Sequence, residues 1–240
     1  SSISFVRFEC KYGARQNALA IFENENVFLE RSCVLQLAAG GGVGLRFFSG
    51  DLVKKTSLRV TLSLWGWFDG VPEKKGWRHA LTLPRVLSIG PDETLRQKPL
   101  PELRALRREH WDHTAGPLKG TLKAVKDVPG ETLEISVKLE RDQAKVVGMR
   151  VGPEVELTWD GKDLIFGSSR APLSLSEGGP LSLRVFVDHA MVEVYANDRV
   201  CLTKFIARAE GRTNIDIFAT EGAAALKEFD VWSVDTIWDR

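Results

Sequence analysis

The stretch that decides the fold reads Leu183-Arg-Val-Phe-Val-Asp-His-Ala-Met-Val-Glu-Val-Tyr-Ala-Asn-Asp-Arg199. Apolar residues fall on every second position in it, except around Asp188-His189-Ala190. A period of two with β-branched and aromatic residues is typical of a strand, and a short polar interruption is typical of a hairpin turn. The stretch therefore predicts a β-hairpin, followed through a turn at Asn197-Asp198 by a third strand over Val200–Phe205.

The chain from Trp111 onwards repeats this pattern. Thr132–Leu139 alternates cleanly, and further short strand patterns follow it without a helical period between them. Many short strands at roughly 8–12-residue spacing are typical of two packed antiparallel sheets. We therefore predict an all-β chain with an antiparallel β-sandwich over residues 112–240. The predicted core comes from alternating positions: Leu133, Ile135, Val185, Val187, Val192 and Val194.

Residues 1–92 form a separate region with weaker strand patterns, of which Leu58–Leu64, running into Trp65-Gly-Trp67, is the clearest. Gly40–Gly44 is glycine-rich, but it lacks the following Lys-Ser/Thr of a phosphate-binding loop. Residues 93–111 are predicted to be a linker, because Pro99 and Pro101 favour extended backbone.

The end of this linker reads as a short helix over Glu102–His110. Its Arg104, Arg107 and Arg108 are predicted to form a solvated face. His110 and His113 have no third ligand at a suitable spacing, so no metal site is expected. On the hairpin, Asp188 and Glu193 are predicted to fix the turn and the strand edges.

Composition narrows the classes of function. With 33 Lys and Arg against 32 Asp and Glu, the net charge is +1, which does not favour nucleic acid or an anionic membrane as a partner. No apolar run approaches the ~20 residues of a membrane span. No signal peptide is visible, so extracellular and cytoplasmic localisation both stay open. Cys10, Cys33 and Cys201 form neither a disulfide framework nor a zinc pattern.

Three segments carry a resemblance to a known family. Leu183–Asn197 resembles a signature hairpin in the C-terminal β-sandwich of glycoside hydrolase family 32, which contains invertases, levanases and inulinases. Trp65-Gly-Trp67 with Gly76–Arg85 resembles the segment that closes the family's five-bladed catalytic β-propeller, and Leu95–Leu103 resembles the link into the sandwich. The resemblance covers about residues 64–240. It implies that residues 1–92 are an incomplete part of the propeller.

The resemblance also implies a chemistry: retaining hydrolysis of β-fructofuranosidic bonds in sucrose or fructans, without metal or cofactor. The family places its nucleophile in Asn-Asp-Pro-Asn-Gly, a transition-state-binding aspartate in Arg-Asp-Pro and its acid/base in Glu-Cys. The sequence contains neither Asn-Asp-Pro nor Arg-Asp-Pro, whereas Glu9-Cys10 matches the third motif. Glu9 is therefore the acid/base candidate, and an ordinary surface carboxylate is the alternative.

Trp65, Trp67 and Asp69 are the candidate substrate-binding residues. Aromatic rings can stack on sugar rings, although aromatics at strand spacing are commonly part of a core. Asp69 leads into a loop, where functional residues concentrate.

Three hypotheses about function follow. The chain is part of a β-fructofuranosidase and is inactive alone, it is a non-catalytic carbohydrate-binding or scaffolding module, or it is a complete enzyme with a rearranged site in residues 1–90. The first implies sucrose or a fructan as ligand, and an N-terminal propeller chain or a homo-oligomer as partner.

Overall fold

A computed structural model describes residues 2–8, 18–24, 34–38, 42–46, 62–69, 79–176, 178–206 and 211–236. Before residue 80, side-chain surroundings are described for Gly66 alone. The chain divides into two compact units, Ser1–Leu100 and Pro101–Arg240. No helix among the described residues is long and apolar enough to cross a membrane.

The first unit is built from antiparallel strands. Its main sheet has the order β1-β2-β5-β7-β8, with β6 also paired to β5, and β3 and β4 form a separate two-stranded sheet. The strands are β1 (Ser2–Phe8), β2 (Ala18–Asn24), β3 (Val34–Ala38), β4 (Gly42–Arg46), β5 (Leu62–Asp69), β6 (His79–Leu81), β7 (Arg85–Ile89) and β8 (Leu95–Pro99).

The second unit begins with a 3-10 helix, Pro101–Leu106, and the other regular elements among its described residues are antiparallel strands. They are β9 (Arg107–Asp112), β10 (Gly116–Pro129), β11 (Thr132–Glu140), β12 (Val146–Val151), β13 (Val155–Trp159), β14 (Asp163–Phe166), β15 (Ser169–Pro172), β16 (Leu181–Asp188), β17 (Met191–Ala196), β18 (Val200–Phe205) and β19 (Arg212–Val234).

The long strand β19 belongs to both layers of a sandwich. Its first half lies between β12 and the main part of β10, and with β13, β14 and β15 these strands form the first layer. Its second half lies between β9 and β11, and with β16, β17 and β18 these strands form the second layer. The chain passes between layers at Glu221 and Gly222, whose φ angles are 50° and 145°. Strands that change sheet at such a bend make the corners of a sandwich.

The core lies between the two layers and comes from alternate positions of their strands. All six residues predicted for it are at most 2% exposed. The predicted all-β class and the C-terminal antiparallel β-sandwich are therefore confirmed. The opening hairpin is also confirmed, because β16 and β17 pair from Leu183–Ala196 to Asp188–Met191.

The helix predicted over Glu102–His110 is wrong in its second half. The 3-10 helix ends at Leu106, and Arg107–Asp112 is strand β9, which pairs with β19. The local helical propensity of this segment is overridden by the hydrogen bonds that β19 offers.

Truncating Val185 tests the core directly. Its side chain is fully buried in the hydrophobic core, so Val185→Ala should lower the free energy of unfolding by about 2–4 kcal/mol. Ser182→Ala on the same strand, at an exposed position, is the matched control, and should change it by less than about 0.5 kcal/mol. Equal losses of unfolding free energy for Val185→Ala and Ser182→Ala in urea titrations would contradict the assignment of Val185 to the core.

Candidate functional site

Strand β5 carries three of the four residues predicted for a sugar site. Trp65, Trp67 and Asp69 occupy alternate positions of β5, so their Cα–Cβ bonds leave the same face of the strand. The backbone of Trp67 is opposite Leu81, and that of Asp69 is opposite His79. The three side chains themselves are outside the described part of the structure, and so is Glu9 altogether.

Two hydrogen bonds with Thr82 hold the backbone of β5 at Gly66, between the two tryptophans. The N–H of Gly66 donates to Oγ1 of Thr82 at 2.7 Å, and the N–H of Thr82 donates to the carbonyl oxygen of Gly66 at 2.9 Å. Thr82 is 6% exposed. Both peptide groups that join Trp65 to Trp67 are therefore hydrogen-bonded to a single residue.

The second unit holds a buried carboxylate that the sequence did not single out. Glu134 stands between the core residues Leu133 and Ile135 on β11, so its side chain leaves the other, outer face of the second layer. It is nevertheless 0% exposed. Oε2 and Oε1 accept from Nε and Nη2 of Arg107, both at 2.7 Å, and Oε1 also accepts from Nε of Arg184 at 2.6 Å.

The two arginines decide the charge state of this carboxylate. Burial raises the pKa of Glu134 and is the largest single influence, but the hydrogen bond from Arg107 and the charge and hydrogen bond of Arg184 together outweigh it. The pKa of Glu134 is consequently held below its ordinary value. A carboxyl group that is ionised and bonded in this way cannot donate a proton to a glycosidic oxygen.

Aromatic rings extend the cluster along β9 and β19. The guanidinium carbon of Arg107 lies 3.5 Å from the ring centroid of Trp232. The His110 ring stacks on Trp232 at 5.0 Å between centroids, and its Nε2 lies 2.8 Å from Oδ1 of Asp230. Arg107 therefore contributes a cation–π contact as well as an ion pair.

A second buried carboxylate lies further along the same face. Glu193 on β17 is 1% exposed and its Oε2 accepts from the Tyr195 hydroxyl at 3.0 Å. Phe186 stands opposite both Glu134 and Glu193 in the strand register. Two strand spacings put the glutamate backbones about 10 Å apart. Because the ionised Glu134 is bonded by Arg107 and Arg184, it cannot serve as the acid of a retaining catalytic pair.

The interpretations of several charged residues change accordingly. Arg107 is not on a solvated helix face, because it bonds the buried Glu134. Glu193 does not fix a strand edge, because β17 lies between β16 and β18 in the sheet and the side chain is buried. Glu134 falls on the polar phase of the Thr132–Leu139 alternation together with Ser136 and Lys138, so no local signal in the sequence marks it as buried. Within the described residues, no group of three or more His, Cys, Asp or Glu could hold a metal ion.

Comparison with known proteins assigns the sandwich to a class. The family model described as "Glycosyl hydrolases family 32 C terminal" matches residues 102–233, more than half of the chain. The second unit therefore contains the C-terminal domain of this family. The protein belongs to glycosyl hydrolases family 32.

Two curated relatives agree with this. The chain is 27% identical over 203 residues to sucrose-6-phosphate hydrolase from Escherichia coli, covering 77% of this chain and 41% of the relative. It is 25% identical over 222 residues to levanase from Bacillus subtilis (strain 168), covering 78% and 32%. The chain therefore spans less than half the length of these relatives.

Solved structures share the fold. A variant of fructan 1-exohydrolase IIa from Cichorium intybus, in complex with 1-kestose, matches with a TM-score of 0.61 and 15% identity over 73% of this chain and 46% of that chain. Exo-inulinase from Aspergillus awamori matches with a TM-score of 0.63 and 14% identity over 98% of this chain and 56% of that chain.

Proposed function

We propose that this chain is the C-terminal part of a β-fructofuranosidase, a hydrolase of β-fructosidic bonds in sucrose or fructans. Residues 112–240 form its sandwich, residues 93–111 link the domains, and residues 1–92 supply the last strands of its catalytic propeller. The observation that carries the proposal is the match of residues 102–233 to the family's C-terminal domain. The names of the relatives, which include a levanase and an exo-inulinase, support the substrate class.

The nucleophile has to come from outside these 240 residues. The sequence lacks Asn-Asp-Pro and Arg-Asp-Pro, so it can contribute at most the acid/base, for which Glu9 is the candidate. Without a nucleophile the covalent glycosyl-enzyme cannot form. The partner is therefore the N-terminal part of the propeller, in the same polypeptide or as a separate chain. A homo-oligomer, the other partner considered, would not supply the nucleophile, because every copy has the same sequence. Trp65, Trp67 and Asp69 line the sugar-binding side in this proposal.

The protein in its native source tests this. Antibodies raised against residues 112–240 should isolate a β-fructofuranosidase that releases fructose from sucrose or inulin and contains more polypeptide than the 26.7 kDa of this chain. The enriched sample should not release glucose from maltose, which serves as the control substrate. A 26.7 kDa protein that binds fructan and has no activity in the native sample would instead favour the non-catalytic carbohydrate-binding module.

A further inference from the structure

One side of the sandwich ends in two strands that, within the described part of the chain, each have a single neighbour. They are β15 in the first layer, paired with β14, and β18 in the second layer, paired with β17. An edge strand presents unpaired N–H and carbonyl groups, to which a second copy of a chain can add a strand. Strand β15 has four residues and ends in Pro172, and both features hinder such pairing. Strand β18 has six residues and no proline, so it needs another form of protection.

The inner face of β18 is apolar except at Lys204. The side chains of Val200 and Leu202 pack against the hydrophobic core, and Lys204 follows them at the spacing of two that keeps side chains on one face of a strand. In the register Lys204 is opposite Val192, a core residue that is 0% exposed. The lysine side chain therefore leaves this edge strand on the core side.

The ammonium group of Lys204 lies between the two layers. Its Nζ is 5.3 Å from the ring centroid of Phe166 on β14 in the first layer. A Cβ added to Gly167, in the turn that follows, would collide with Nζ, so the glycine makes room for the ammonium group. No carboxylate among the described residues pairs with Lys204, and Nζ is not among the buried polar atoms that lack a partner. The charge therefore depends on contact with solvent at this side of the sandwich.

We infer that Lys204 closes the edge of β18 to strand addition by a second copy of this chain. A strand paired to β18 would cover this side of the sandwich and take the Lys204 ammonium group out of water, which is unfavourable for a charge that has no carboxylate partner. In a symmetric antiparallel pair of two β18 strands, two such groups would also lie on the same side of the extended sheet and repel each other. An inward-pointing charge is one of the devices by which proteins protect their edge strands. The inference goes beyond the proposed function and does not depend on the substrate.

Sedimentation velocity of the full chain at several concentrations tests the inference. Lys204→Met keeps the length and the packing of the side chain but removes its charge, so this variant should self-associate at least about tenfold more strongly than wild type. Lys204→Arg keeps the charge and should sediment like wild type. The matched control is Lys138→Met on the central strand β11, where the lysine side chain is 38% exposed, and this variant should also sediment like wild type.

Hydrogen exchange locates the new contact. The amide groups of Val200–Phe205 should become better protected in Lys204→Met as its concentration rises, because an added strand bonds the N–H groups that face away from β17. Protection in wild type should not depend on concentration in this segment.

Three results would overturn the inference: Lys204→Met sedimenting like wild type, Lys138→Met associating as strongly, or association of Lys204→Met without added protection in β18. Should Lys204→Met fail to fold, Lys204→Gln removes the same charge, and it should also self-associate more strongly than wild type. Gly167→Ala displaces the ammonium group from Phe166 but keeps the charge, so it should sediment like wild type. Self-association of Gly167→Ala would assign the effect to loosening of this side of the sandwich and would contradict the inference.

Discussion

Gly222→Ala should lower the free energy of unfolding by about 4 kcal/mol, a large effect for a single methyl group. Gly222 lies at the corner of β19 with a φ of 145°, a conformation that L side chains rarely adopt. An added Cβ would lie 2.3 Å from the carbonyl oxygen of Gln143 and 2.8 Å from Cα of Ala144. These are backbone atoms, so relief requires movement of the neighbouring loop.

That loop is itself tied to the corner. The N–H groups of Gln143 and Ala144 both donate to the carbonyl oxygen of Ala223, at 3.1 and 2.9 Å. Moving the loop away from an alanine at position 222 would weaken both hydrogen bonds, and the passage of β19 from one layer to the other depends on them.

Gly120→Ala is the matched control for Gly222→Ala. Gly120 lies in β10 with a φ of 73°, and an added Cβ would meet nothing within 4 Å. Gly120→Ala should therefore lower the free energy of unfolding only by the backbone strain of a left-handed residue, about 1–2 kcal/mol. Equal destabilisation of the two variants in guanidinium titrations would show that the corner does not depend on close packing against the loop.

Glu134→Gln should lower the free energy of unfolding by about 3 kcal/mol, because it leaves Arg107 and Arg184 beside a buried group that no longer carries a charge. Both arginine side chains are only 21% and 20% exposed, so water compensates them poorly. Glu228→Gln is the matched control, since Glu228 accepts from Lys138 at 3.1 Å but its side chain is 60% exposed. Because this ion pair is on the surface, Glu228→Gln should lower the free energy of unfolding by less than about 1 kcal/mol.

The effect of Glu134→Gln should depend on pH in a defined direction. The pKa of Glu134 in the folded protein is lowered from an ordinary value of 4.5. The carboxylate therefore contributes its full stability above pH 4.5 and loses it as pH falls through the lowered pKa. The difference in unfolding free energy between wild type and Glu134→Gln should be constant near neutral pH and shrink below pH 4.5. A difference that grows on acidification would contradict the ion-pair account.

The sandwich could be predicted from the sequence because its signals are local. Alternation in β16 and β17 and a polar interruption between them specify a hairpin, and the alternating positions give the core directly. The corner at Gly222 could not be predicted in this way. Glu221-Gly222 reads as a turn that ends a strand, but the hydrogen bonds on either side continue one strand through it.

The contacts of Glu134 with Arg107 and Arg184 could not be predicted from local sequence patterns for a different reason. Its arginines lie 27 and 50 residues away in the sequence, and the pairing needs β9 to be a strand. The run Glu102–His110 favours a helix on propensity alone, and only pairing with β19 reverses this for Arg107–Asp112. The alternate placement of Trp65, Trp67 and Asp69 follows from the sequence, whereas the hydrogen bonds between Gly66 and Thr82 join residues 16 apart that no sequence pattern links.

Fructose release by the purified 240-residue chain tests the central claim most directly. With no nucleophile, acid/base catalysis alone is worth only about 10²–10⁴-fold, far below the acceleration of a working hydrolase. Sucrose and inulin incubated with the chain should therefore not release fructose at an enzymatic rate. If a weak release is found, its loss in Glu9→Gln would support Glu9 as the acid/base, and an unchanged rate would mean that the Glu9-Cys10 match is chance. Sustained turnover by the wild-type chain would contradict the account, and loss of that turnover in Glu9→Gln would assign it to a complete site within residues 1–90.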